Sequence, residues 1–204
     1  MRSLHLLGCT LLAALSIHSC SVSDEDESDP DGFVPEVREL LSQPILDGLN
    51  DLGQPIYAGT NPPDVAGTFV ISPLILMGVT ISGDSTPIGS NLGALTVSFA
   101  PAADDLTMEA TYTVSNGTSA TPTYSAVQGS GCEFSVFSKF DYTDTAGSPW
   151  SILRVTSGCV IEEGISDVVT SYVMLADDYD LFDGRWLPGQ GRSHSDWDGM
   201  AERQ

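Results

Sequence analysis

The spacing of apolar residues changes twice along the chain, and each change marks a different kind of element. Residues 4–17 form an almost wholly apolar run. Between residues 34 and 52, apolar residues recur every three or four positions, which is the period of an amphipathic helix. Pro44 interrupts this pattern and Gly53 ends it, so we expect two short helices or one kinked helix. From Gly67 onward apolar and polar residues alternate, which predicts β-strands.

The stretch 132–159 is typical of a strand, a turn and a second strand. If the chain folds back midway between Thr145 and Ala146, then Cys132 lies opposite Cys159. Alternation then predicts one buried, apolar face, which includes Phe134, Val136, Phe140, Leu153 and Val155. The other face is expected to be in contact with solvent, and it carries Glu133, Lys139, Asp141 and Arg154.

The alternating pattern predicts about eight strands joined in serial hairpins, with no helical segment between them. An antiparallel meander of this length removes its unpaired edges by closing into a barrel, and a two-sheet sandwich is the alternative. The fold class is therefore all-β with a short helical segment at the N-terminus. We expect a signal peptide over 1–19, an anchor and tether over 20–32, the helical segment over 33–60, and a β-barrel domain with a polar tail over 61–204.

The charge of the chain excludes one class of partner. Seven Lys and Arg residues stand against 28 Asp and Glu residues, which gives a formal net charge of -21. Nucleic acid is not expected as a partner, because binding it requires basic side chains that neutralise phosphates. An acidic surface mainly increases solubility.

Cysteine usage favours a disulfide in the body of the protein. Of the four cysteines, Cys9 and Cys20 lie in the leader and at its end, and Cys132 and Cys159 lie in the hairpin. Two thiols that face each other in an exported chain most simply form a disulfide.

The apolar leader ends in Ile17, Ser19 and Cys20. An aliphatic residue three positions before a cysteine, with a small residue directly before it, resembles a bacterial lipoprotein signal. The resemblance implies that Cys20 carries a lipid and anchors the chain in a membrane of the bacterial cell envelope. Ser21 after the anchor implies the outer membrane. The acidic run over 21–32 predicts an extended tether and also resembles surface-export signals, so the periplasmic and surface faces both stay open.

Two short motifs resemble those of lipocalin-like barrels. The sequence Asn61-Pro62-Pro63 leads into Gly67-Thr68-Phe69, where Phe69 stands in place of the usual tryptophan, and Asp178-Tyr179 follows a late strand. The resemblance implies a barrel over residues 64 to about 198. The NPPxxxGxF pattern is also similar to that of bacterial envelope lipoproteins, a resemblance that implies no activity.

The sequence offers little catalytic apparatus. His194 is the only histidine after the leader, and it lies in a polar stretch where we expect it to be exposed. There is no Gly-x-Ser-x-Gly, no His-Glu-x-x-His and no phosphate-binding glycine loop. The chain is therefore not expected to be an enzyme.

One acidic stretch is a candidate calcium site. Calcium prefers several carboxylate or carbonyl oxygens on a short loop. Asp178 and Asp180 have the spacing of such a loop, while Asp183 and Gly184 come one residue later than in a helix-loop-helix calcium loop. Calcium is the only cofactor that the sequence suggests.

Three functions are open at this point. The first is a lipid-anchored, non-catalytic protein whose barrel binds a small apolar molecule or lipid. The second is a structural or protein-interaction surface protein with a filled barrel, and the third is a calcium-stabilised surface module. If the interior is open, one set of apolar-face residues would line it: Phe99, Met108, Tyr112, Phe134 and Phe140. If it is packed, the same residues form the core. The oligomeric state is not predicted.

Overall fold

The computed structural model of the protein describes residues 32–101 and 106–204. The signal peptide, Cys20 and most of the tether lie outside the described residues. Helix α1 spans Pro35–Leu40 and helix α2 spans Gln43–Asp51, with the predicted interruption between them and Gly53 in a left-handed conformation after them. None of the helices in the described ranges has the length and hydropathy needed to span a membrane.

Twelve strands follow the helices within the described residues. In chain order, β1 to β12 span Thr60–Asn61, Gly67–Ile71, Leu74–Val79, Leu95–Pro101, Met108–Val114, Ser119–Ala120, Tyr124–Ser130, Glu133–Thr143, Pro149–Val160, Gly164–Ala176, Gly191–Asp196 and Met200–Arg203. The protein is therefore mostly β, as the alternating pattern predicts.

All twelve strands belong to one sheet, but the serial meander that we predicted is wrong. The sheet runs in the order β1-β7-β8-β9-β10-β12-β2-β4-β5-β6, and β11 joins β10 to β3. Only Ser72 and Pro73 separate β2 from β3, yet β3 does not fold back onto β2 as a hairpin and pairs with β11 instead. The short strand β1 runs parallel to β7.

The sheet curves strongly but is not closed. Between β5 and β7 there is a single antiparallel bridge, Thr107 with Ala126, and one further hydrogen bond in which Val127 N donates to Leu106 O at 2.9 Å. The described residues form no continuous ladder there, and a closed barrel is not confirmed.

The inner, concave face of the sheet holds the larger of two cores. Val65 and residues from nine strands are buried in it. These strands are β2, β3, β4, β5, β7, β8, β9, β10 and β12. Phe69, Phe134, Val136, Ile165 and Ala201 have no exposed surface at all. Side chains of the protein itself therefore fill the middle of the curved sheet.

The outer face of β7 to β10 holds the second core, and here a prediction was wrong. The two helices cover this face, so that Val37, Ile45 and Leu49 pack against Phe137 and Leu153. We had expected this side of the hairpin to be in contact with solvent. The apolar stripe of the helical segment accounts for the difference, because it needs an apolar surface to cover.

The hairpin of β8 and β9 has a register one residue away from the predicted one. Glu133, Ser138 and Tyr142 lie opposite Cys159, Arg154 and Trp150. A shift of one residue moves every side chain of a strand to the other face of the sheet. Arg154 is therefore on the inner face, whereas Leu153 and Val155 lie under the helices.

The turn between β8 and β9 explains this register. Asp144 Oδ1 accepts hydrogen bonds from Ala146 N and Ser148 N, at 2.9 and 2.7 Å, and Gly147 has a φ of +91°. An aspartate that caps the turn and a left-handed glycine give a three-residue loop centred on Ala146. The predicted turn was instead centred on the bond between Thr145 and Ala146.

The disulfide between Cys132 and Cys159 is confirmed despite the shift. The two Cα atoms are 4.7 Å apart. Cys132 lies directly before β8, outside the ladder, so the bond runs diagonally from the end of the turn to β9.

Candidate functional site

The five residues predicted to line the interior come together on the inner face, but they are packed. Phe99, Met108, Tyr112, Phe134 and Phe140 all belong to the inner core, and each is at most 7% exposed. Tyr112 contacts both Phe99 and Phe140 edge to face, with ring centroids 6.2 and 5.6 Å apart. The rings pack against one another, and the role of these residues in binding a ligand stays a prediction.

The aromatic contacts continue from this core to one end of the sheet. The ring of Phe140 stacks near Tyr142, and Tyr142 stacks on Trp150 at 4.3 Å. Trp150 in turn contacts Phe182 and Trp186. We call five partly exposed residues at this end the rim aromatics: Tyr142, Trp150, Tyr172, Phe182 and Trp186.

A folded loop after β10 positions Phe182 and Trp186. The Asp177 carboxylate accepts a hydrogen bond from Leu181 N at 3.0 Å, which starts the turn before Phe182. Trp186 Nε1 donates to Gln190 O at 2.7 Å, and this bond fixes the indole at the base of β11. The loop thus brings two apolar rings back over the end of the sheet.

The same loop contains the candidate calcium ligands. Asp180 Oδ1 accepts a hydrogen bond from Gly184 N at 2.6 Å, and Asp183 pairs with Arg185 at 3.4 Å. Asp178 is exposed. Asp180 and Asp183 both have positive φ, which aspartate tolerates better than most residues. The spacing is therefore explained by turn formation. No group of three or more potential metal ligands occurs in the described part of the chain, and calcium binding stays a prediction.

A cavity of about 490 Å³ lies beside the rim aromatics. Its apolar wall includes Tyr172, Phe182 and Trp186, and its polar wall includes Arg185 and Arg192. This volume lies within the range of cavities that bind small molecules.

A second cavity, of about 400 Å³, lies under the Asn61-Pro62-Pro63 motif. Met108 and Val127 lie on its wall. Among the five predicted ligand-binding residues, Met108 is the one that borders either of these two cavities.

Arg154 is the residue that the sequence reasoning missed, because the predicted register placed it in solvent. Its Cζ atom lies 5.1 Å from the centroid of the Tyr112 ring and 5.4 Å from that of Tyr172. Burial lowers the pKa of the guanidinium, which nevertheless stays protonated at neutral pH. The order Asp144-x-x-Gly147 was the signal that could have given the correct register.

Arg192, the neighbour of Tyr172 on β11, has a carboxylate partner. Its Nε donates to Asp84 Oδ2 at 2.7 Å, and its Nη2 lies 3.2 Å from Thr86 Oγ1. The pKa of the Asp84 carboxyl is lowered, chiefly by the hydrogen bond from the Thr86 backbone and also by Arg192. The two side chains therefore form a neutral pair at the wall of the cavity.

His194 is buried on β11, which corrects the expectation of an exposed histidine. It is 3% exposed, its ring stacks on Tyr172 at 5.6 Å, and its Nδ1 donates to Thr170 O at 3.3 Å. Burial, together with the nearby charge of Arg154, lowers its pKa to about 4. The imidazole is therefore neutral at physiological pH.

Comparison with protein-family models, with curated proteins and with solved structures finds no match for this chain.

Proposed function

We propose that this protein is a lipid-anchored, non-catalytic binding protein of the bacterial cell envelope, whose ligand is a small, largely apolar molecule. The observation that carries the proposal is the group of rim aromatics beside a cavity of about 490 Å³. Large aromatic rings that stay partly exposed are a costly arrangement in water, and a ligand that covers them recovers part of that free energy.

The proposed site lies at the end of the sheet and not in its middle. Phe99 and Phe134, which we had expected to line the interior, are 3% and 0% exposed. Phe182 and Trp186 are partly exposed and border the cavity. An apolar ligand would therefore bind against the rim aromatics and leave the inner core packed.

We further infer that the curved sheet acts as an incomplete eight-stranded barrel, in preference to a two-sheet sandwich. In support, β7, β8, β9, β10, β12, β2, β4 and β5 follow one another in the sheet. The first and last of these approach each other at the bridge between Thr107 and Ala126.

The membrane part of the proposal rests on the sequence ending in Ser19-Cys20 and on the acidic tether that follows. Lipid on Cys20 would hold the folded part of the chain near the outer membrane. Detergent-phase partitioning tests this point: the wild type should enter the detergent phase, whereas Cys20→Ala should stay in water. A wild type that stays in the aqueous phase would contradict the anchor.

Native mass spectrometry of the full-length protein, purified from its own membranes, tests ligand binding. We expect an additional non-covalent mass that a Trp186→Ala variant loses. Trp197→Ala is the matched control, because Trp197 is 78% exposed and does not border the cavity. A clean apo mass, without a thermal shift from fatty acids, fatty alcohols or apolar fluorophores, would contradict binding.

The packed inner core favours a second candidate function. A filled sheet that carries a lipid anchor could serve as a structural or protein-interaction module, with Phe134 and Phe140 as core residues only. The negative result of the ligand experiment would select this alternative.

A further inference from the structure

Arg154 carries a charge that the protein itself does not compensate. Among the described residues, its guanidinium donates no hydrogen bond and has no carboxylate at ion-pair distance. The side chain is partly buried, with its guanidinium over the rings of Tyr112 and Tyr172. A charge taken out of water without a partner is expensive, so this arrangement indicates a place for an anion.

The groups around Arg154 leave one net positive charge. Tyr112 and Tyr172 are neutral, because burial raises the pKa of each phenol above its usual value. His194 is also neutral, and Arg192 is balanced by Asp84. A group with a single negative charge therefore matches the site better than a dianion does.

Tyr172 connects this charge to the apolar cavity. Its ring borders the cavity, contacts Trp186 at 5.9 Å and lies 5.4 Å from the Arg154 Cζ atom. A ligand whose anionic group lies beside Tyr172 can thus place its apolar part against Phe182 and Trp186.

We propose that Arg154 binds the carboxylate of a small amphipathic monoanion, whose apolar part lies against Tyr172, Phe182 and Trp186. A carboxylate fits for two reasons: it carries one charge at neutral pH, and its two oxygens match the fork of a guanidinium. The inference rests on the proposed function and specifies the class of ligand at the same site.

Titration calorimetry on the full-length protein tests this inference with three probes that share a ten-carbon chain. The probes are decanoate, decanol and decyl phosphate, each used below the concentration at which it self-associates. Wild type should bind decanoate more tightly than either of the others. Arg154→Met, which keeps most of the aliphatic stem, should weaken decanoate binding by about tenfold or more, because a charge-assisted hydrogen bond is lost, and should leave decanol binding unchanged.

Arg203→Met is the matched control, since it also removes a guanidinium that lies over an aromatic ring, that of Phe69 at 4.8 Å, and Arg203 does not border the cavity. Arg203 is exposed and lies outside the proposed site, so decanoate affinity should change by less than about threefold. The thermal midpoint provides a second measurement. Arg154→Met should be at least as stable as wild type, because it removes an unpaired charge.

The outcomes separate the two proposals. If the wild type binds none of the three probes, the proposed function itself is wrong. If it binds decanol as tightly as decanoate, or if Arg154→Met binds decanoate as well as wild type does, only the carboxylate site is overturned. Tighter binding of decyl phosphate than of decanoate would replace the carboxylate with a phosphate. Equal loss of decanol and decanoate in Arg154→Met would make Arg154 a packing residue.

Discussion

The ring of Tyr172 contacts three different groups at once. It lies 5.4 Å from the Arg154 Cζ atom, stacks with the imidazole of His194, and contacts Trp186 at its edge. A guanidinium near an aromatic ring gains about 0.5–2 kcal/mol, depending on how far it is desolvated. The ring therefore offsets part of the cost of holding Arg154 without a carboxylate, and it keeps the neighbouring histidine out of water.

The buried His194 predicts a loss of stability in mild acid. Its pKa is about 4 in the folded protein and near 6.5 when unfolded, so only the unfolded chain gains a proton between these values. The free energy of unfolding should therefore fall by roughly 3 kcal/mol as the pH drops from 6.5 to 4, with no effect of this group above pH 7. Urea denaturation at a series of pH values measures this change.

The matched variant for this experiment is His194→Asn, whose amide can still donate to the Thr170 carbonyl but does not titrate. Its free energy of unfolding should depend less on pH between 4 and 6.5 than that of wild type. If the two proteins lose stability in parallel over this range, other groups account for the acid sensitivity, and His194 is not the source.

At the scale of elements, the turn between β8 and β9 decides which side chains reach the inner face. Gly147 lies in the left-handed region at φ +91°, and a Cβ built there would meet no atom within 4 Å. The position is therefore spacious, and a substitution is opposed only by backbone strain.

Gly147→Ala should lower the free energy of unfolding by about 1 kcal/mol, because alanine resists this conformation. Gly147→Asn should lose less, since asparagine tolerates positive φ. Urea denaturation of the oxidised protein compares the two variants with wild type. Equal stability of all three proteins would show that the turn does not need a left-handed residue and would remove our explanation of the register.

The sequence predicts the type of each long element well, because type depends on local spacing. The helical stripe of residues 37–52 and the alternation of β4 and β5 appear in the structure as expected. The disulfide is also predictable, since it tolerates a one-residue shift. The face of Arg154 was missed, because it depends on whether the loop has three residues or an even number, and only the turn residues Asp144 and Gly147 indicate which.

Strand order was predictable only in part, for a similar reason. Neighbouring hairpins such as β4 with β5 form as expected, because short turns bring successive strands together. The pairing of β12 with β2 joins residues more than 130 positions apart, and no local pattern specifies it. The rim aromatics were missed because the folding of the loop between β10 and β11, which brings Trp186 back against Tyr172, follows no periodic pattern in the sequence.

At the scale of the whole molecule, two C-terminal strands join the two halves of the sheet. β12 pairs with β10 on one side and β2 on the other, and β11 does the same for β10 and β3. Apart from the Thr107–Ala126 bridge, the ladders of the described residues connect β2–β6 to β7–β10 only through these strands.

Ala201, at the centre of this joint, is fully buried between the halves. Ala201→Asp would bury an unpaired carboxylate and should lower the free energy of unfolding by roughly 3 kcal/mol or more. Hydrogen exchange should accelerate in both β4 and β8, because each half loses its neighbour. Glu202→Asp, one residue away on the exposed side, is the control and should change stability by less than about 0.5 kcal/mol. Acceleration confined to one half would show that the halves are stable independently.

The joint also sets the time at which the fold can close, because it lies near the end of the chain. Strands β1 to β6 lie within residues 60–120. After Ala120, which ends β6, the ribosome must add more than 80 residues to reach Arg203, which ends β12. At about 5–20 residues per second, synthesis needs roughly 4 to 17 seconds for this interval. During that time the edge of β2 that β12 will cover stays open. For the exported chain that we propose, the first half therefore cannot complete the sheet before the second half has also crossed the membrane.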